Sequence, residues 1–280
     1  MSLAGARVLL TGGTGFIGSR VAAALDAAGA RVTLLARASS GGARLGPLWG
    51  ALPRVTADLS DPASLAAAVL KAAPEYALHL AKDRNARGFE PQARATAALA
   101  VALARAPGFK RWVRTAHAGA ARGADELLAR TLAERHGLSV CTLELFLVYG
   151  PGQGRGEFPR DLVDAAAAGR PLAAPEGDKD LVFVEDVARA YLLAAERPEA
   201  AGAWIPVGGG RLVTGLEAAR AAARAAGRLD ADVPAPPAGR SGGHPAPLES
   251  ARSLLGWEPR VSLDEGLAKL LQWCRDHPDL

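Results

Sequence analysis

The segment TGGTGFIG (11–18) places Gly12, Gly15 and Gly18 in the spacing GxxGxxG, between an apolar run and a helical one. In that context the pattern suits the diphosphate of a dinucleotide. Gly12 permits a tight turn, Gly15 lets backbone approach a pyrophosphate, and Gly18 lets the helix pack closely on the strand. The N-terminus of the helix then offers unpaired amides and its positive dipole end to phosphate oxygens. The next apolar run ends LLAR, and no acid follows until Asp58. An acid at that point grips a ribose 2′-hydroxyl, whereas Arg37 is suited to a 2′-phosphate, assisted by Ser39 or Arg44. The reading is therefore NADP(H) in preference to NAD(H).

Histidine is the other residue type suited to chemistry near neutral pH. Of the five, His117 stands in a short loop, TAHAGAARG, between a strand and a helix. His79 lies inside an apolar strand, His136 ends a helix where a cation suits the dipole, and His244 falls in a Pro/Gly-rich stretch placed to approach a substrate. Cys141 and Cys274 belong to no CxxC or Cys/His cluster, so no metal site is read.

These residues need a frame. RVLLTG (7–12), RVTLLAR (31–37), RVTADL (54–59), YALHLA (76–81), KRWVRTA (110–116) and SVCTLELFLVYG (139–150) read as six strands. Helices alternate with them at 16–29, 61–73, about 91–106 and about 123–135, with Asp61 as an N-cap followed by Pro62. The expected fold class is α/β, a Rossmann-type doubly wound parallel sheet with a smaller C-terminal substrate lobe. The boundary is set at 1–150 for the dinucleotide-binding domain and 151–280 for the lobe, with 180–200 returning to the sheet. ASSGGARLGPLWG (38–50) reads as a Gly-rich loop, and 229–250 as a loop over a cleft or a mobile lid. A last amphipathic helix begins after Ser262.

The chain has 280 residues, 49% apolar and 22% charged, with a net charge of +4. Its arginines are scattered and no basic run alternates with aromatics, so nucleic-acid binding is not expected. No apolar run approaches the roughly 20 residues that span a bilayer, and the first strand begins too early for a signal peptide. A cytoplasmic protein acting on a small molecule, with no membrane partner, is the expectation.

The segments VLLTGGTGFIGSRVAAALDAAGARVTLLAR, ADLSDPASL, HLA, LFLVYGPGQ, DLVFVEDVARAYLLA and LLGWEPRVSLDEGLAKLLQW occur in this order. In them the chain resembles the extended short-chain dehydrogenase/reductases, the NAD(P)-dependent sugar epimerase/dehydratase family. The resemblance spans nearly the whole chain. It implies that Gly12, Thr14, Gly15, Phe16, Ile17 and Gly18 line the pyrophosphate and that Asp58 and Leu59 meet the adenine. It places Leu80 and Ala81 beside the ribose and nicotinamide, and Leu145 to Val148 near the nicotinamide. Lys179 falls where the family has an arginine for a substrate phosphate. A homodimer through the two long helices is also implied.

The family's proton chemistry is where the sequence departs. It uses a Ser or Thr with Tyr and Lys spaced YxxxK, the lysine lowering the tyrosine pKa. Here His117 falls on the hydroxyl position, Ala118 on the tyrosine and Arg122 on the lysine. The three tyrosines are Tyr76, Tyr149 and Tyr191, and none has Lys or Arg four residues on. Glu144 replaces an arginine, and Leu147 replaces an asparagine that holds a nucleotide-sugar phosphate in the family. Three functions remain open. The first is a reductase or epimerase-like oxidoreductase acting on a small carbonyl or hydroxyl compound, with His117 as proton donor. Arg122, Lys82, Asp83 and Glu144 would assist it, and Glu144, Lys179 and His244 would meet the substrate. The second is a non-redox dehydration or rearrangement. The third is an inactive NAD(P)-binding scaffold.

Overall fold

The computed structural model describes residues 2–81, 89–118, 122–235 and 243–280. Seven strands form one sheet in the order β3-β2-β1-β4-β5-β6-β9. They are β1 (Arg7–Thr11), β2 (Arg31–Ala36), β3 (Arg54–Thr56), β4 (Tyr76–His79), β5 (Arg111–His117), β6 (Val140–Leu145) and β9 (Trp204–Val207). Every neighbouring pair is parallel. Helices α1 (Phe16–Ala27), α2 (Leu48–Ala51), α3 (Pro62–Ala72), α4 (Phe89–Ala104) and α5 (Arg122–His136) carry the crossovers among the first six. This is the doubly wound Rossmann-type α/β sheet read from the alternation of apolar runs.

Side chains alternate across each strand, so each face of the sheet needs its own cover. One face buries Val8, Leu10, Leu34, Leu78, Val113 and Leu143, together with Val21 and Leu25 of α1 and Val187 and Tyr191 of α7 (Val184–Glu196). The other buries Leu9, Leu35, Ala77 and Trp112 under Leu65 of α3, Leu99 of α4 and Leu132 of α5. Asp61 caps α3 as expected, accepting from the amides of Ala63 and Ser64.

The run 139–150 is two strands rather than one. Its chain leaves the large sheet at Phe146, and β7 (Leu147–Tyr149) pairs with β8 (Leu181–Phe183) in a separate two-stranded sheet. The break is invisible in the hydrophobic pattern because both halves are buried. Tyr149 and Phe183 face a second core, closed by α6 (Arg160–Ala167), α8 (Gly215–Ala225) and α9 (Leu263–Asp276). Ser262 caps α9 through the amide of Glu265. The 38–50 segment is mostly exposed, but one of its glycines is packed closely. A Cβ on Gly42 would lie 2.1 Å from the Trp49 indole, so glycine is a packing requirement there.

Asp186 ties the lobe to the sheet. Its Oδ1 accepts from Arg189, at 2.7 Å, while Oδ2 accepts from the amides of Arg260 and Val261, at 2.9 and 3.0 Å. Its carbonyl accepts from the fully buried Trp257 indole at 2.9 Å. Removing the buried carboxylate leaves two part-buried amides without their acceptor and takes from Arg189 its anionic partner. Asp186→Ala is therefore expected to cost about 3 kcal/mol, read from the urea unfolding midpoint.

Candidate functional site

The strand order reverses between β1 and β4, and the turn after β1 lies at that switch point. Gly12 has φ +75°, and a Cβ there would lie 2.6 Å from the Ala81 nitrogen and 2.7 Å from the Leu80 carbonyl carbon. A Cβ on Gly18 would come within 2.0 Å of the Gly12 oxygen. These are backbone atoms, which have nowhere to move, so both positions require glycine. Gly15 donates to the Gly12 oxygen at 2.9 Å and stands as N-cap of α1 with no side chain capping the helix. The first amides of α1 are left for a ligand. Thr14, Phe16 and Ile17 are half-buried around this turn. An uncapped helix N-terminus over a glycine cradle fits the diphosphate of a dinucleotide.

Two arginines lie beyond β2. Arg37 is exposed just past the strand end. Asp58, also exposed, accepts from the amide and hydroxyl of Ser60 at 2.8 and 2.7 Å. Those bonds, with a smaller contribution from the Arg37 charge, hold its carboxyl below the usual range. Leu59 beside it is half-buried. Arg44 turns elsewhere: its Nε donates to the Gly152 oxygen at 2.7 Å, strapping the loop after β2 to the loop after β7.

At the end of β4, Leu80 and Ala81 close on Thr11. The Ala81 amide donates to Thr11 Oγ1 at 3.2 Å, and Thr11 Oγ1 lies 2.7 Å from His79 Nδ1. His79 is buried, with the Trp112 ring 6.2 Å away, and its Nε2 has no hydrogen-bond partner. Burial pushes its pKa down to about 3, and the Arg114 charge adds to the shift. His79 is thus a neutral interior residue.

His117 ends β5, exposed, with its Cα paired to Leu145. The next residue, Ala118, donates its amide to the Leu145 oxygen at 3.0 Å. Arg122 is the first residue of α5, while Lys82 and Asp83 fall outside the described residues. Leu145 ends β6 and Val148 lies in β7, both buried. Glu144 is buried in β6, its Oε2 accepting from the Trp204 indole at 3.0 Å. Lys179 is exposed, and its backbone exchanges both bonds with Val213, at 3.0 and 2.8 Å. His244 is exposed and meets the Phe146 ring edge-on, centroids 6.0 Å apart.

None of the three tyrosines stands near the start of α5 in the chain. Tyr76 opens β4, Tyr149 packs on Phe183, and Tyr191 lies buried in α7 with its hydroxyl bonded to Thr115. Burial pushes the Tyr149 and Tyr191 hydroxyls up, away from proton exchange at neutral pH. A cavity of about 260 Å³ is lined by Tyr149, Phe183, Arg211, Arg260 and Ser262 among others, and none of its lining residues belongs to the glycine turn or the ends of β4 and β5. Thr11, Thr115 and Asp180 hold this region together and were not legible in the sequence, since their partners lie far along the chain.

A family model for the NAD dependent epimerase/dehydratase family matches residues 8–112 and 115–208. A UDP-glucose 4-epimerase of Mycolicibacterium smegmatis is 29% identical over 315 aligned positions, covering 96% of this chain and 99% of that protein. The structure of a Thermotoga maritima UDP-glucose 4-epimerase with UDP-glucose matches at TM-score 0.83 and 25% identity, covering 97% of this chain and 99% of that one. A Thermus thermophilus UDP-glucose 4-epimerase in complex with NAD matches at 0.77 and 26%, covering 96% and 99%.

The depressed His79 pKa has a measurable consequence. An unfolded histidine protonates near pH 6.5, but the folded one resists until about 3, so His79 favours folding fully above 6.5 and less as pH falls through that window. The contribution changes by up to about 1.4 kcal/mol per pH unit. Urea unfolding at pH 7 and pH 5 should show a shallower pH dependence in His79→Gln than in the wild type.

Proposed function

Because the chain belongs to the NAD dependent epimerase/dehydratase family, we propose that it acts as an NADP(H)-preferring reductase or epimerase on a small carbonyl or hydroxyl compound, with His117 as the proton-transferring group. The glycine turn carries this reading: Gly12 and Gly18 admit no side chain, and α1 has no side-chain cap. When bound, the nicotinamide cofactor supplies hydride exchange with a substrate carbon. The chain's own residues do the rest. Gly12, Thr14, Gly15, Phe16, Ile17 and Gly18 hold the diphosphate, with Asp58 and Leu59 at the adenine. Leu80, Ala81, Leu145 and Val148 flank the nicotinamide end.

Arg37 is the group for a 2′-phosphate, since it lies exposed at the end of β2. A planar guanidinium pairs well with phosphate oxygens. His117 gives or takes the substrate's hydroxyl proton, as an imidazole can do near neutral pH. Arg122 supplies near the ribose the positive charge that the family's lysine gives, and Lys82, outside the described residues, is a further candidate. Lys179 and His244 receive the substrate from the other side, and Glu144 supports β6 beneath. The α4 and α5 helices pair two copies of the chain.

A UDP-sugar substrate is the second reading, favoured by the exposed Lys179 at the family's phosphate-binding position. Leu147 opposes it, because an apolar side chain gives a diphosphate no hydrogen bond.

Two measurements test the proposal. Fluorescence titration should show NADPH binding, and Arg37→Ala should weaken NADPH by about tenfold or more, the value of one charged hydrogen bond, while leaving NADH unchanged. Turnover on a carbonyl panel and on UDP-glucose should fall by about 100-fold in His117→Ala at unaltered NADPH affinity. Equal kcat in that variant removes His117 from the chemistry. Cofactor binding with no turnover on any compound favours a cofactor-binding scaffold.

A further inference from the structure

Asp180 is 5% exposed, and its hydrogen-bond partners among the described residues are backbone amides from distant segments. Oδ1 accepts from the Gly209 amide, while Oδ2 accepts from Gly210 at 2.9 Å and from Ala246 at 2.8 Å. Its own carbonyl accepts from the Leu147 amide at 3.1 Å. Four stretches of chain therefore meet at one residue: the break between β6 and β7, the start of β8, the loop after β9, and the extended 243–248 segment. A buried carboxylate is stable only where such donors satisfy it.

The glycines around it record how closely the chain is drawn in. A Cβ on Gly208 would lie 2.5 Å from the Ala246 Cβ and 2.8 Å from Asp180 Oδ1, and one on Gly209 would lie 2.3 Å from the Leu181 oxygen. The same convergence sets the neighbours of Asp180. Leu147 follows Phe146, whose ring meets His244. A Cβ on Gly243 would lie 3.5 Å from the Asp178 oxygen, so 243–246 runs alongside 178–180. Phe146, Lys179 and His244 thus come from three segments that meet at one residue, the Leu147 amide on the Asp180 carbonyl and the Gly209, Gly210 and Ala246 amides on its carboxylate.

We propose that Asp180 is the positioning residue of the substrate side, fixing Phe146, Lys179 and His244 relative to one another through its four backbone bonds. The inference rests on the reading above that the substrate lies against Lys179 and His244. Asn would keep the shape and fail electrostatically: one of its two terminal groups is a donor and would face amide donors.

The test uses the full-length chain carrying Asp180→Asn, and separately Ala246→Pro, which deletes one donor and leaves the carboxylate. In Asp180→Asn, amide exchange in peptides covering 204–213 and 243–250 should quicken by about tenfold or more while the 7–30 peptide is unchanged. In Ala246→Pro only the 243–250 peptide should respond. With UDP-glucose as the probe, its affinity should fall about tenfold in both variants and NADPH affinity should stay within about twofold. Unchanged exchange at both peptides, or equal loss of protection in every peptide, overturns the proposal. So does an unaltered UDP-glucose affinity in both variants. If the wild type itself does not bind UDP-glucose, the UDP-sugar reading fails, and the exchange pattern alone decides for or against Asp180.

Discussion

The structure depends on one close approach, that of the Gly12 backbone to the start of the chain leaving β4. At 2.6 Å from a hypothetical Cβ, the Ala81 nitrogen leaves no room for any other residue. Because the strand order reverses at this pair of strands, the approach lies at the sheet's switch point. Thr11 locks the same junction, taking the Ala81 amide and meeting His79 across the strand. The placement of α1, the aim of its amides and the exit of the β4 segment all follow from it.

Around that junction the polar side chains sort into two kinds. Some are interior fasteners: Thr115 joins the Tyr191 hydroxyl to the His79 carbonyl, and Arg111 holds the end of α7 through the Ala194 and Arg197 carbonyls. Others, such as His117, Lys179 and His244, are exposed to solvent. Tyr191 belongs to the first kind, Tyr149 to the β7–β8 core, and Tyr76 is buried in β4. The family resemblance therefore carries to the fold, whereas the proton chemistry needs its own assignment.

Much of the fold was legible because the signals were local. A glycine spacing, six apolar runs and the caps at Asp61 and Ser262 each act within a few residues. What escaped the sequence acts at long range. The run SVCTLELFLVYG gives no sign of its break at Phe146, because β9 and β8 arrive as partners only after residue 180. Gly42 reads as looseness and is instead space for Trp49. Asp180 sits unremarked in KDLVFVEDV, and the glycines at 208–210 that close on it lie some 30 residues later.

The late arrival of β9 bears on how the chain comes into being. Until Trp204–Val207 is made, β6 is an edge with a free ladder of amides and carbonyls, and until Val184–Glu196 is made the Val113 and Leu143 face has no cover from α7. A nascent chain emerging from the ribosome therefore carries an unfinished sheet through the 58 residues (146–203) between the end of β6 and the start of β9. Open strand edges and bare apolar faces are what chaperones protect and what aggregation exploits. That exposure is set by the winding order of the chain rather than by its final stability.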